Sequence, residues 1–168
     1  SGSVPSSLPP SVYADIIESI PKDVKVILDT RGIPFEIALK KGVFLIKPNM
    51  DEINEFFNSN FSTTEELIAA GKKLQEMGAE NVLISMAGDG AILITSTEEI
   101  YFSEVPKGTL KNSVGAGDSM VAGFIAGFIS TNDFKEAFKM GVATGSASAF
   151  SEGLATKDKI DELLKQLF

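Results

Sequence analysis

Short apolar segments alternate with helical patterns along the first half of the chain, and this alternation limits the possible folds more than any other feature. The runs VKVILD (24–29), VFLIKPN (43–49) and NVLISM (81–86) have the length and β-branched content of buried strands. Helical segments separate them, so we expect parallel strands with helices on both faces of the sheet. The sequence therefore predicts an α/β fold with a mostly parallel sheet.

The remaining segments extend this pattern and then change it. Three strand-like runs follow one another at NVLISMAG, GAILITS and EIYFSEV, which predicts an antiparallel edge. From Gly115 onward the pattern is helical, and small residues suggest that the first two helices pack closely. The predicted helices are YADIIESI (13–20), PFEIALKKG (34–42), MDEINEFF (50–57), TTEELIAAGKKLQEMG (63–78, capped by Thr63 or Thr64 and stopped by Gly78), AGDSMVAGFIAGFIS (116–130), DFKEAFKMGVATGSASAF (133–150) and TKDKIDELLKQLF (156–168).

Composition excludes several kinds of chemistry. The chain has 168 residues and neither Cys nor His, so it cannot itself supply a thiol nucleophile, a Ser-His-Asp triad or a Cys/His zinc site. A net charge of -8 argues against nucleic acid or anionic lipid as a partner. No apolar run approaches the roughly 20 residues of a membrane span, so we expect no membrane partner and a cytoplasmic protein.

The segment SVGAGDSMVAGF (113–124) places glycines and Asp118 at the start of a helix. The free N–H groups and the dipole of such a helix start can bind an anion, and glycines permit close approach to the backbone. Alternatively, Asp118 merely occupies a favourable first turn after a tight Gly115–Gly117 bend. Met120 stands where a G-x-G-x-x-G fingerprint needs glycine, and the chain has no P-loop motif.

Two further segments each allow a plain interpretation beside a functional one. SMAGDG (85–90) lies between two strands, where D-G favours an ordinary hairpin turn. KPNMDE (47–52) lies at the carboxyl end of a strand, where open α/β sheets bind ligands, but Asn49 and Glu52 also match a capping box. Asp29, at another strand end, is equally compatible with capping the following turn.

Taken together, these motifs identify a resemblance. SGSVP, VILDTRG, FLIKPNMDE, VLISMAGDGAIL, NSVGAGDSMVAGF and GVATGSASAF are similar in order and spacing to the second half of PfkB-type, ribokinase-like carbohydrate kinases. The similarity is strongest to the phosphosugar branch, which contains fructose-1-phosphate kinase and tagatose-6-phosphate kinase. The resemblance covers essentially the whole chain, whereas such enzymes have about 300 residues. It implies a three-layer α/β sandwich of which residues 1–168 form the nucleotide-binding and catalytic C-terminal part, without the N-terminal part and lid.

The resemblance also implies roles for individual residues. Asp118 would be the catalytic base, kept ionised by the helix end, and the amides of Gly115, Ala116 and Gly117 would bind the transferred phosphoryl group. Glu52 would bind Mg²⁺, largely through water. The implied nucleotide-binding residues are Lys47, Asn49, Ser85, Gly88, Asp89, Gly90, Gly117, Gly145 and Ser146, the last two by leaving room for adenine. The positions implied for a potassium-like ion are Asn112, Val114, Ser148, Ser151 and Gly153.

The implied reaction is transfer of the ATP γ-phosphate to the primary hydroxyl of a sugar phosphate, converting fructose 1-phosphate to fructose 1,6-bisphosphate. A tagatose-6-phosphate kinase, another ribokinase-like sugar or nucleoside kinase, and a non-catalytic nucleotide-binding module are the alternatives. ATP, Mg²⁺ and K⁺ are the implied cofactors, and homodimers would form through the missing lid. This chain departs from the family pattern at Arg31 in DTRG and at Ala87 and Gly88 in SMAGDG. We expect the isolated chain to be inactive.

Overall fold

A computed structural model describes residues 1–167, and within them the chain forms seven α-helices and a five-stranded sheet of order β1-β2-β3-β4-β5. The predicted succession of elements is confirmed. In chain order they are α1 (Val12–Ser19), β1 (Ile27–Leu28), α2 (Gly32–Leu39), β2 (Val43–Ile46), α3 (Met50–Phe57), α4 (Thr64–Glu76), β3 (Ala79–Ser85), a 3₁₀ turn (Ala87–Asp89), β4 (Ala91–Ile94), β5 (Ile100–Ser103), α5 (Ala116–Thr131), α6 (Phe134–Ala149) and α7 (Lys157–Leu164).

The sheet is mixed. β1 pairs with β2 and β2 with β3 in parallel, with Leu45 of β2 opposite both Ile27 and Asn81. The connections from β3 to β4 and from β4 to β5 are only five residues long, and neighbouring strands joined so tightly must be antiparallel. The second connection is closed by the Thr95 N–H, which donates to the Glu99 carbonyl at 3.0 Å. The α/β class and the antiparallel edge are therefore confirmed.

β1 is shorter than the sequence predicts, since only Ile27 and Leu28 of the segment 24–29 form a strand. The residues before it are held in other ways. The Val24 N–H closes a turn onto the Pro21 carbonyl, and the Val26 carbonyl accepts from both Phe44 and Leu45. A turn and a shared acceptor interrupt the regular ladder, so β-branched residues alone do not extend the strand.

The chain divides into two compact units, the first formed by residues 1–85 and 92–100. In this unit the strands are buried over Val43–Ile46 and over residues 82–84, as expected for a parallel sheet. The Thr63 side chain accepts from the Glu66 N–H and so caps α4, as predicted. Gly78 follows α4 with φ +133°, and a side chain there would collide with the Leu39 carbonyl, which explains the glycine.

The second unit contains residues 86–91 and the described residues from Tyr101 to position 167. Its core is the close packing of α5 on α6, which the small residues predicted. A Cβ added to Gly123 would lie 2.6 Å from the Met140 carbonyl oxygen, and one added to Gly127 would lie 2.8 Å from the Ala137 Cα. Glycine is therefore required where these helices touch. No helix described in residues 1–167 is long and apolar enough to cross a bilayer.

Candidate active site

The N-terminus of α5 is left open by its own sequence. Gly115 is the N-cap residue, with φ +79°, and it offers no side chain to the helix. This left-handed conformation strains any residue with a Cβ, so glycine is needed to turn the chain into the helix. The Ser119 N–H donates to the Gly115 carbonyl at 2.9 Å and closes the first turn. The remaining first-turn amides depend on other acceptors.

The amides at this helix end differ from one another. The Ala116 N–H donates to the Ser113 carbonyl at 3.2 Å, so this predicted anion ligand already has a protein acceptor. Among residues 1–167, no acceptor is found for the N–H groups of Gly115, Gly117 and Asp118. The Asp118 amide was not among the predicted ligands. Glycine at position 115, which has no side chain to cap the helix, is the sequence signal that could have identified the Asp118 amide as a ligand.

Asp118 lies in the first turn of α5 with its side chain exposed. The next residue, Ser119, is buried and only 7% exposed. The helix therefore presents a carboxylate to solvent beside unpaired N–H groups. That combination can accept a proton and stabilise negative charge at one helix end.

The N-terminus of α3 is closed instead by a complete capping box. The Asn49 side-chain oxygen accepts from the Glu52 N–H at 2.8 Å, and Glu52 Oε2 accepts from the Asn49 N–H at 2.9 Å. Asn49 also forms a parallel bridge with Ser85, whose N–H donates to the Pro48 carbonyl at 3.1 Å. Two predicted site residues, Asn49 and Ser85, are thus brought together at the carboxyl ends of β2 and β3.

Lys47 lies at the end of β2 and is buried, with its side chain 8% exposed. Its ammonium group is 3.7 Å from the carboxylate of Asp29, which follows β1. A cap of the turn after β1 by Asp29 stays a prediction, but Asp29 does not cap α2, whose N-cap residue is Arg31 and which has no side-chain cap. The adjacent parallel strands instead place the carboxylate beside Lys47. Burial of a charged lysine is tolerated because an opposite charge lies next to it.

SMAGDG forms the hairpin turn that its D-G pair predicts. The Met86 N–H donates to the Gly90 carbonyl at 2.9 Å, and Ala87–Asp89 form the 3₁₀ turn. A Cβ at Gly90 would collide with the Ser103 carbonyl, so this glycine is explained by the neighbouring chain. A Cβ at Gly88 would meet no atom within 4 Å. Of the two glycines, only Gly88 borders open space that a ligand can enter.

Gly145 and Ser146 both lie in α6, and Gly145 faces α5. A Cβ at Gly145 would lie 3.1 Å from the Ala116 carbonyl oxygen and 3.1 Å from the Met120 Cβ, so α5 fills that space. Ser146 is 8% exposed. Helix packing therefore explains the glycine at position 145, and room for adenine beside it stays a prediction. A contact of Ser146 with nucleotide stays a prediction.

The five positions predicted for a monovalent ion lie around the C-terminal end of α6 and the loop before α5. The Asn112 side chain accepts from the Val114 N–H at 3.0 Å, and the Val114 side chain is 83% exposed. The hydroxyls of Ser148 and Ser151 donate within the protein, to the Ser119 hydroxyl and to the Ala147 carbonyl, both at 2.8 Å. A Cβ at Gly153 would meet no atom within 4 Å.

Each unit also contains a concave region. In the first unit, a cavity of about 380 Å³ is lined by the charged residues Arg31 and Glu52 and by the buried side chains of Phe35 and Ile53. In the second unit an open groove of about 730 Å³ is lined by Lys111 and Lys159. Sequence reasoning did not identify this groove, because its lysines are separated by 48 residues and share no motif. The other groove residues are Gly108, Thr109, Phe150, Ser151, Glu152 and Thr156.

Comparison with known proteins places this geometry in a family. The chain matches the pfkB family of carbohydrate kinases over residues 1–161. It is 48% identical to a 1-phosphofructokinase of Bacillus subtilis over 99% of its own length and 55% of that relative. The chain thus spans about half the length of the curated relatives it matches.

Solved structures agree with the sequence comparison. Escherichia coli phosphofructokinase-2 in complex with potassium is 25% identical, with a TM-score of 0.88 over 98% of this chain and 54% of that one. Ribokinase of Arabidopsis thaliana, complexed with ribose and ATP, has a TM-score of 0.81 at 23% identity, over 95% of this chain and 54% of that one. The ribokinase-like fold is therefore confirmed. From the family match over nearly its whole length, the chain belongs to the pfkB family of carbohydrate kinases.

Proposed function

We propose that this chain is the nucleotide-binding and catalytic part of an ATP-dependent phosphosugar kinase that converts fructose 1-phosphate to fructose 1,6-bisphosphate. The observation that carries the proposal is the open N-terminus of α5, where unpaired amides adjoin the exposed Asp118. The 48% identity to a 1-phosphofructokinase supports the choice of substrate. Since the chain spans about half of that relative, the activity belongs to the full-length protein.

In the proposed reaction the primary hydroxyl oxygen of the sugar phosphate attacks the γ-phosphorus of ATP. A new P–O bond forms, the bond to the ADP oxygen breaks, and the hydroxyl proton passes to the Asp118 carboxylate. Phosphoryl transfer depends mainly on alignment and charge stabilisation, so unpaired N–H groups and one carboxylate are suitable groups. The amides of Gly117 and Asp118 would bind the transferred phosphoryl oxygens, beside that of Gly115.

We assign the nucleotide phosphates and their Mg²⁺ to residues at the carboxyl ends of β2 and β3. When bound, Mg²⁺ would neutralise phosphate charge, and it usually binds through one or two carboxylates, phosphates and water. Glu52 suits this role because only its Oε2 accepts a capping hydrogen bond. The proposed nucleotide contacts are Lys47, Asn49, Ser85, Gly88, Asp89 and Ser146.

A potassium ion is a further proposal for the second unit. Escherichia coli phosphofructokinase-2, which shares the fold, is described in complex with potassium. Oxygen atoms of Asn112, Val114, Ser148, Ser151 and Gly153, chiefly their backbone carbonyls, would be the ligands, while the hydroxyls of Ser148 and Ser151 donate within the protein. The ion would lie near the loop that enters α5 and add positive potential there.

The test uses the full-length protein with ATP and Mg²⁺. We expect formation of ADP with fructose 1-phosphate at a kcat/KM at least tenfold above that with tagatose 6-phosphate or unphosphorylated fructose. The Asp118→Asn variant should bind ATP but turn over far more slowly. ATP binding without turnover of any sugar would instead support a nucleotide-binding module. A preference for an unphosphorylated sugar or a nucleoside would contradict the substrate class.

A further inference from the structure

We infer that Ser148 is a positioning residue for phosphoryl transfer, acting through Ser119 on the first turn of α5. The inference rests on the proposed function of that turn. Its basis is a hydrogen bond between two buried hydroxyls: Ser148 Oγ donates to Ser119 Oγ at 2.8 Å, and the residues are 4% and 7% exposed. A buried hydroxyl pair fixes how far one helix can slide along the other, because such a movement would leave a buried polar group unpaired.

Ser119 transmits this constraint to the groups that would act on the phosphate. It directly follows Asp118, and its N–H donates to the Gly115 carbonyl at 2.9 Å. A displacement of Ser119 therefore moves the carboxylate and the open amides together. No side chain caps this helix end, and the Ser148 hydroxyl of α6 holds its first turn from the side.

The same end of α6 also holds the chain that enters α5. The N–H groups of Lys111 and Asn112 both donate to the Ala149 carbonyl, at 2.9 and 3.1 Å. The Asn112 side chain then accepts from the Val114 N–H at 3.0 Å. The C-terminal turn of α6 thus contacts the α5 start on both sides, through Ala149 before the helix and through Ser148 within it.

Close packing leaves little room for the first turn to adjust. A Cβ at Gly145, one turn before Ser148, would lie 3.1 Å from the Ala116 carbonyl oxygen. The two helices are therefore near van der Waals contact beside the hydroxyl pair. A change in the hydroxyl pair should therefore shift Asp118 only slightly, enough to disturb its alignment but not to open the interface.

The experiment compares Ser148→Ala, Ser119→Ala and the double variant in the full-length kinase. The matched control is Thr144→Val, because the Thr144 hydroxyl donates to the Met140 carbonyl of its own helix at 2.7 Å. We expect kcat to fall about tenfold in both single variants, since small misplacements of reacting groups are costly. The KM for ATP and the half-saturating K⁺ concentration should stay unchanged. The double variant should match the singles, as two groups acting through one bond are not additive.

Three results would overturn the inference while leaving the proposed function intact. They are wild-type kcat in both Ser variants, an equal loss in Thr144→Val, and a changed half-saturating K⁺ concentration at unchanged maximal rate. The last result would make Ser148 a side-chain ligand of the ion instead. If Ser148→Ala does not fold, Ser119→Ala tests the same hydrogen bond from the other partner. A wild-type enzyme with no activity toward any sugar phosphate would remove the proposed function and the inference with it.

Discussion

The N-termini of α3 and α5 treat their free backbone N–H groups differently, because only α3 caps them with its own side chains. At α3 the side chains of Asn49 and Glu52 satisfy the free backbone donors reciprocally, at 2.8 and 2.9 Å. At α5 the N-cap residue is Gly115, which has no side chain to offer. The same number of unpaired donors arises at any helix start. A helix start that supplies its own acceptors has fewer free donors for an external anion, and one that supplies none can bind such an anion.

The largest effect should come from removing the carboxylate at the open end. Asp118→Asn keeps the size of the side chain but cannot take the substrate proton, so kcat should fall by about 10²–10⁴-fold. The KM for ATP should change little. Initial rates of ADP formation by the full-length enzyme measure both. A kcat within twofold of wild type would show that Asp118 is not the base.

Distorting the open end should have the second largest effect. Gly115→Ala places a Cβ on a residue with φ +79°, and this conformation costs about 1–2 kcal/mol for an L-residue. Urea unfolding should report that loss, and kcat should fall as the amides turn away. Gly153→Ala, at ordinary φ and with no atom within 4 Å, should leave the free energy of unfolding nearly unchanged. Equal stability of the two variants would contradict the conformational argument.

The capped N-terminus of α3 can be compared with that of α4, which has a second capping box in the same unit. Asn49→Ala and Thr63→Ala each remove an N-cap acceptor and should each lower the free energy of unfolding by about 1 kcal/mol. Only Asn49→Ala should also raise the KM for ATP, because Thr63 has no proposed contact with nucleotide. Matching KM values in the two variants would assign Asn49 to structure alone.

The smallest effect concerns the pH dependence of the α4 cap. The backbone N–H groups of Ser62 and Thr63, followed by the Thr63 hydroxyl, hold the pKa of Glu66 below its ordinary value of 4.5. Because this pKa is lower in the folded state, its contribution to stability is present above pH 4.5 and is lost as the pH falls through the folded-state pKa.

Glu66→Gln should therefore show a weaker loss of stability than wild type as the pH falls below 4.5. Urea midpoints of both proteins across this range provide the measurement. Parallel curves for the two proteins would contradict the pKa argument. The difference should be small, because the Glu66 carboxylate is exposed to solvent.

Local signals predicted the parts of this molecule that depend on neighbouring residues. The caps at Asn49 and Thr63 follow from side chains three residues apart, so the sequence alone could identify them. The length of β1 could not be predicted, because the turn at Pro21–Val24 and the sharing of the Val26 carbonyl interrupt its ladder. Local pattern does not encode such pairings.

In the candidate site, too, some features follow from neighbouring residues and others from residues far apart in the sequence. The glycines around Asp118 allow an anion site to be predicted from the sequence, beside an ordinary first-turn role for Asp118, since positive φ and a helix start are local properties. The reasons for Gly90 and Gly145 are not local, because the atoms that exclude a side chain belong to Ser103 and Ala116. The Lys47–Asp29 pair likewise depends on strand order, which brings together residues 18 positions apart.

The most direct test is whether the open helix end binds the transferred group. ¹⁵N amide spectra of the full-length protein would be recorded with fructose 1-phosphate, MgADP and aluminium fluoride, a mimic of the phosphoryl group in transfer. We predict large shifts for the amides of Gly115, Gly117 and Asp118, and none for the capped amide of Glu66. Unmoved signals at the start of α5 in a complex that does form would contradict the central claim.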